Sequence, residues 1–286
     1  MNPSSSSFLR SVLLGLFVVS GALFFSGCSA KPKNLAADCK DSFEKYHAKF
    51  EKKKYSAAKD GYDEFVTSCA GTEFAEEAYF ELGESHFALK DWMEAEQEYE
   101  SFLKEYPSSK RYDETVRYKL AVSMSRQTQI PQRDQSKTLD AIHEFETYLA
   151  QYPDSPRADS AKLEVEKLRD LLADRDTRVA KLYTRMDEPL AAAIYYKHIL
   201  KEYGDRVPRR DITLKLAECY IELEQFVEAE NQLTQFDGVA KDDPFREKVK
   251  LVQRKLEKAQ VRYARQKKEE KKEEEKKQAE QKSQPL

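Results

Sequence analysis

The stretch Trp92-Met93-Glu94-Ala95-Glu96-Gln97-Glu98-Tyr99-Glu100-Ser101-Phe102-Leu103-Lys104-Glu105-Tyr106-Pro107 decides the fold. Trp92, Ala95, Tyr99 and Phe102 are spaced three, four and three residues apart, which places them on one face of an α-helix. Ala95 marks the point where a neighbouring helix comes too close for a larger side chain. Tyr106-Pro107 ends the helix, because Pro cannot continue the hydrogen-bond ladder and pushes its predecessor out of the α region. The same face recurs four more times: Tyr55, Ala58, Tyr62, Phe65; Thr138, Ala141, Phe145, Tyr148; Pro189, Ala192, Tyr196, Ile199; and Phe226, Ala229, Leu233, Phe236. The alanines are 37, 46, 51 and 37 residues apart. Tyr152-Pro153 and Tyr203-Gly204 supply two further stops, the second through a glycine at the helix end.

Each of these helices has a predecessor to pair with. Gly83, Ala180 and Ala217 lie twelve residues before three of the alanines, and His86, Tyr183 and Tyr220 follow three residues later. Small at one point and aromatic one turn on resembles the first helix of a tetratricopeptide (TPR) pair. The pattern predicts an all-α, TPR-like α-solenoid of about five antiparallel helix pairs over residues 39–253, with a concave groove. The two long steps need insertions. Gln127 to Gln135 reads as a polar loop, and Pro156 to Arg185 as an unusually long charged helix carrying Leu163, Val165, Leu168, Leu172 and Leu182.

The repeat is preceded by an address. Arg10 is followed by an apolar run from Val12 to Phe25, too short for a comfortable bilayer span and suited to a signal-peptide core. Phe25-Ser26-Gly27-Cys28 resembles the lipobox of bacterial lipoproteins, which implies a leader over 1–27, diacylation of Cys28 and an acylated linker over 28–38. An ordinary secretory signal with an incidental Cys is the alternative. Acyl chains would hold a hydrophilic chain at a membrane without spanning it.

Composition excludes several classes. Only 8 of 286 residues are Gly, well below the usual ~7%, and no phosphate-cradling glycine motif occurs. The net charge of −3 speaks against a nucleic-acid binder. Charge is unevenly placed. From Arg254 onward 12 Lys/Arg face 7 Glu, a net of +5, which leaves residues 28–253 at −9 once the leader's Arg10 is gone. Blocks such as Lys267-Lys268-Glu269-Glu270 make 254–286 a solvated helix or a disordered tail.

The cysteines of the exported chain are Cys28, Cys39, Cys69 and Cys219. Cys39 lies near the start of the first helix and Cys69 just past the end of the second. An antiparallel hairpin brings those ends together, so a Cys39–Cys69 disulfide is expected in an oxidising compartment. Cys219 falls in an apolar helical pattern and reads as a core residue.

Catalytic chemistry is not evident. His47, His86, His143 and His198 have no Cys or second His at metal-ligand spacing. Gly83-Glu84-Ser85-His86 lacks the second glycine of a nucleophile elbow and sits mid-helix. No enzyme activity, metal or cofactor is expected. What remains is the groove. Repeat phasing lines it with Phe43, His47 and Phe50, then Phe80, Glu84 and Phe87, then Tyr118 and Val122. Lys181, Thr184 and Arg185 follow, and Leu214, Glu218 and Ile221 come last. Aromatics in an open groove suit an extended or helical peptide with apolar anchors.

Together these features resemble the outer-membrane assembly lipoprotein BamD family. The lipobox, the repeat, Thr138-Leu139-Asp140-Ala141-Ile142, Tyr152-Pro153-Asp154-Ser155, Ala180-Lys181-Leu182-Tyr183 and Ala191-Ala192-Ala193-Ile194-Tyr195-Tyr196 carry the likeness, from about Cys28 to Phe236. The resemblance implies a lipid-anchored scaffold on the periplasmic face of the outer membrane. Its partners would be a BamA-like barrel protein, other lipoproteins of the β-barrel assembly machine and unfolded outer-membrane proteins. By that likeness Phe43, Phe50, Phe80 and Phe87 would face substrate, and Tyr183, Arg185 and Leu214 would lie near the BamA side. Gly204 in place of Pro and the charged tail depart from the family. The competing reading is a TPR lipoprotein adaptor of another envelope machine, such as a pilus or secretin pilotin or a cell-wall synthesis coordinator.

Overall fold

The computed structural model describes residues 35–128, 134–240 and 242–282. Cys28 and the leader, Ile130-Pro131 of the polar loop and residues 283–286 lie outside them. The described residues form five antiparallel helix pairs and a final long helix. The pairs are α1 (Leu35–Glu51) with α2 (Tyr55–Ser68), α3 (Ala75–Leu89) with α4 (Trp92–Glu105), and α5 (Asp113–Arg126) with α6 (Ser136–Gln151). Then come α7 (Ala158–Arg185) with α8 (Pro189–Glu202), and α9 (Arg209–Glu222) with α10 (Phe226–Leu233). A 3₁₀ turn, Thr234–Phe236, leads on to α11 (Phe245–Lys282).

Each helix packs on the next. The first helices also touch in succession, α1 with α3, α3 with α5 and α5 with α7, whereas second helices make no comparable contact with one another. The first helices therefore form the inner, more tightly curved layer of the solenoid. The five repeating alanines explain how closely helices approach: Ala58, Ala95, Ala141, Ala192 and Ala229 are all fully buried. Glycine does the same at two crossings. A Cβ on Gly83 would stand 2.7 Å from the Tyr99 ring, and one on Gly61 2.2 Å from the Tyr46 ring. Beside the alanines, Tyr62, Tyr99, Phe145 and Tyr196 fill the space between layers.

The turn inside four of the five pairs uses one device. Lys53, Lys90, Asp187 and Glu224 have φ between 54° and 66°. In each case the following residue donates its N–H to a carbonyl five residues back: Lys54 to Lys49, Asp91 to His86, Glu188 to Tyr183 and Gln225 to Tyr220. This is the helix-ending hydrogen bond that usually accompanies glycine. A side chain in the left-handed region costs about 1 kcal/mol or more. Lys90→Gly is therefore expected to raise stability by up to about 1 kcal/mol. Lys90→Ala, which keeps the Cβ, should leave the urea midpoint in place, and an equal gain in both variants would trace the effect to the lysine side chain instead.

Three details differ from the sequence-based expectation. First, α1 begins at Leu35, so helix extends into the expected linker 28–38. Second, Leu163 and Leu182 of α7 are exposed, and the buried stripe runs Ala161, Val165, Leu168, Leu172, Asp176, Ala180. Third, a cut at residue 253 would fall inside α11. Val249, Val252, Leu256 and Ala259 pack against Leu214, Ile221 and Leu233, and Tyr263 meets the edge of Phe226 at 5.5 Å. Val261 faces solvent. The packed solenoid thus continues to about Tyr263, because the three-four-three spacing keeps one stripe of α11 on α9 and α10. From Arg265 the described side chains are exposed.

Cys39 and Cys69 form a disulfide with their Cα atoms 5.8 Å apart. Cys219 is free and buried among Ala192, Ile199 and Leu216. Burial pushes its thiol up to about 12, with Glu222 and Glu218 adding to the effect. The native protein should therefore resist iodoacetamide at neutral pH, with alkylation appearing only on unfolding. An unfolded thiol ionises near 9 and the folded one near 12, so this group contributes stability below pH 9 that is lost as pH rises from about 9 to about 12. Rapid alkylation of the folded chain would contradict the assignment.

Candidate functional site

The inner face is bridged by polar rungs between consecutive first helices. His47 Nδ1 lies 2.8 Å from Glu81 Oε1, joining α1 to α3. Glu84 accepts from Lys119, and Arg111, just before α5, donates to Glu77 at 3.0 Å, joining the second pair to the third. Arg126 stands 3.7 Å from Glu164, from α5 to α7. Lys248 donates to Asp211 at 2.6 Å and Lys255 to Glu218, from α11 to α9. These partners are 34 to 37 residues apart, except Arg126 and Glu164, so the repeat step visible in the alanines reappears in the hydrogen bonds.

Tyrosines from the second helices support the rungs from behind. Tyr62 donates to Glu81, Tyr99 to Glu84 at 2.8 Å, and Tyr148 to Glu114 at 2.5 Å. Arg157 also donates to Glu114. Glu81 is almost fully buried, and desolvation raises its carboxyl above the usual range, while the bonds from Tyr62 and His47 pull it back. His47, Glu77 and Glu81 bring donor atoms within 4.8 Å of one another, as a metal site requires. Here Tyr62 and His47 take up Glu81, and Arg111 reaches both oxygens of Glu77.

The predicted groove residues divide into three sets. Phe43 and Leu214 are core, not groove. Phe43 packs on Phe74 at 5.1 Å and on His47 at 5.4 Å, and Leu214 is buried against the α10–α11 stripe. Val122 and Ile221 are buried as well. The second set is half-buried and engaged by neighbours. Phe50 meets Tyr55 edge-on, Phe80 stacks on Tyr112 at 4.1 Å, and Phe87 sits between Trp92 and the Lys119 ammonium. Tyr118 lies under Arg157, and Tyr183 stacks on Tyr195 at 5.6 Å. His47, Glu84 and Glu218 are rung residues. The third set, Lys181, Thr184 and Arg185, lines an open cavity of about 770 Å³ beside α7 and α9.

Sequence reading did not anticipate the buried acids. Glu96 accepts from Gln127 and Lys137, and Asp176 pairs with Arg175 at 2.8 Å and His198 at 3.3 Å. Each occupies a buried helix position beside apolar residues, and only its place on the helix face signals its role.

A superhelix of helix pairs, with a polar-runged inner face and an open cavity, places the protein in the TPR-like solenoid class. The chain belongs to the family described as YfiO, outer membrane lipoprotein, which matches residues 36–235. It is 32% identical over 200 residues to the putative outer membrane protein assembly factor BamD of Aquifex aeolicus, a match covering 69% of this chain and 63% of that protein. Among solved structures it is similar to PilW, a widely conserved type IV pilus biogenesis factor, at 14% identity and TM-score 0.33, covering 71% of this chain and 93% of PilW. A tetratricopeptide repeat protein from Parabacteroides merdae also matches, at 14% identity and TM-score 0.35, covering 80% of this chain and 92% of that one. Both superimpose only loosely.

Proposed function

We propose that the protein is a lipid-anchored scaffold of the outer-membrane β-barrel assembly machine, attached through Cys28 and facing the periplasm. It would bind unfolded outer-membrane proteins on the inner face of its first pairs and a BamA-like barrel protein toward its later pairs. The observation that carries this reading is membership of an outer-membrane lipoprotein family, with a relative named as an assembly factor. The inner face supports it with half-buried aromatics at Phe50, Phe80 and Phe87, a surface for apolar segments of extended chains. No helix among the described residues is long and apolar enough to cross a membrane, and acyl chains on Cys28 supply an attachment. Preformed repeats lose little entropy on binding, which helps a shallow face hold a partner.

The test is affinity purification from detergent-solubilised membranes, with the tag at the exposed end of α11. Near-stoichiometric recovery of a large barrel protein carrying periplasmic domains is expected. Recovery of secretin, pilus or cell-wall enzymes in its place would overturn the reading and leave a TPR adaptor of another envelope machine.

A further inference from the structure

At the step from α7 to α9 the polar bridge comes from the segment just before α9, where Arg206 donates to Asp170 at 3.1 Å and to Glu166. Among the described residues no hydrogen bond or ion pair runs between the helices α7 and α9 themselves. The 770 Å³ cavity opens at that step. Its walls come from the C-terminal half of α7 and from Lys215 of α9, with Tyr196 of α8 at its floor. The floor is ordered by the Tyr196 hydroxyl, 3.1 Å from Thr184 Oγ1.

The walls are cationic. Arg175 and Arg178 are paired with Asp176 and Asp174, and Lys215 with Glu218. Lys181 and Arg185 have no carboxylate partner among the described residues, and both are exposed. They stand one turn apart on α7, where like charges repel by about 0.2–0.5 kcal/mol. An isolated helix gains nothing from that arrangement, and it occurs on a body whose net charge is −9. Leu182, 45% exposed, adds an apolar wall beside the two cations. Thr177 contributes a buried hydroxyl with no hydrogen-bond partner among the described residues.

We propose that this cavity is a docking site for an acidic segment of a partner protein, whose carboxylates meet Lys181 and Arg185 and whose apolar side chain rests on Leu182. Charge complementarity selects the occupant: an anionic chain supplies the counter-charges that Lys181 and Arg185 lack among the described residues. The cations line a hollow of the inner layer, a shape that an extended chain can enter and a flat lipid surface cannot. The inference deepens the scaffold reading by giving one partner its chemistry, and rests on that reading only for the partner being a protein.

The experiment uses the full chain in detergent and three probes: a fluorescein-labelled peptide of alternating Glu and Leu, its Lys and Leu counterpart, and phosphatidylglycerol vesicles. Anisotropy is expected to report binding of the acidic peptide alone, weakening as salt rises. Lys181→Glu with Arg185→Glu should weaken it at least about tenfold. Lys271→Glu with Lys272→Glu, in the exposed part of α11, should leave it unchanged. A matching thermal midpoint shows that both variants fold. Absence of acidic-peptide binding, equal loss in both variants, or binding of vesicles without peptide would each overturn the proposal. The purification described above is read separately, so a barrel protein recovered by a chain that ignores the acidic peptide would sink the cavity assignment and leave the scaffold reading standing.

Discussion

Replacing both Cys39 and Cys69 with serine is expected to lower stability by ~3–4 kcal/mol in the chain-entropy model. The bridge closes a loop with a sequence separation of 30, and the cost of leaving that loop open falls on the unfolded chain. The half-cystines are themselves buried beside Phe43, Phe65 and Val66, so serine also places two hydroxyls in an apolar cluster. The loss should therefore reach at least the entropic figure. Urea unfolding of the oxidised protein, the reduced protein and the double variant checks it. Hydrogen exchange should localise the change to α1 and α2. Coincident unfolding curves for oxidised and reduced protein would show that the bridge contributes nothing.

Phe102→Ala is the second large effect, with an expected cost of about 3–5 kcal/mol. Phe102 is fully buried, with its ring 5.4 Å from Tyr106 and 6.1 Å from Tyr112. It therefore touches the stop of α4 and the start of α5, the seam between the second and third pairs. Removing the ring leaves a cavity that rigid helix crossings at Ala95 and Ala141 cannot close. Met93 on the same helix is 57% exposed, and Met93→Ala should change stability by no more than about 0.5 kcal/mol. Similar unfolding midpoints for the two variants would contradict this account of the core.

The second helices and their pairing were legible because one buried face repeats with a fixed small residue. The long α7 was legible from its unbroken run of helix formers. The intra-pair turns were not. Lys53, Lys90, Asp187 and Glu224 occupy the left-handed positions where glycine would have announced a helix end. The groove was only partly legible for a geometric reason. Successive residues on a helix are about 100° apart, so a shift of one position moves a side chain from the inner face to the seam with the second helix. Phe43 and Leu214 fall on the seam side of that divide, and Lys181 and Arg185 on the open side. The buried acids Glu81, Glu96 and Asp176 were hidden because carboxylates at helical spacing beside Lys and Arg usually belong to solvated surfaces.

The bridge between Cys39 and Cys69 and the long stripe of α11 have one consequence in common. In a linear array each unit borrows stability from its neighbours, and an outermost unit has only one lender, so arrays ordinarily melt inward from their ends. Here one flank is stapled covalently, and the other is overlain by a helix whose contacting stripe runs from Val249 to Ala259. Fraying is suppressed at both flanks, so the first units to open are expected to lie in the interior of the array. Exchange of amide hydrogens should rank the interior helices α5 and α7 below α1 and α10, an inversion of the order that an uncapped array would give.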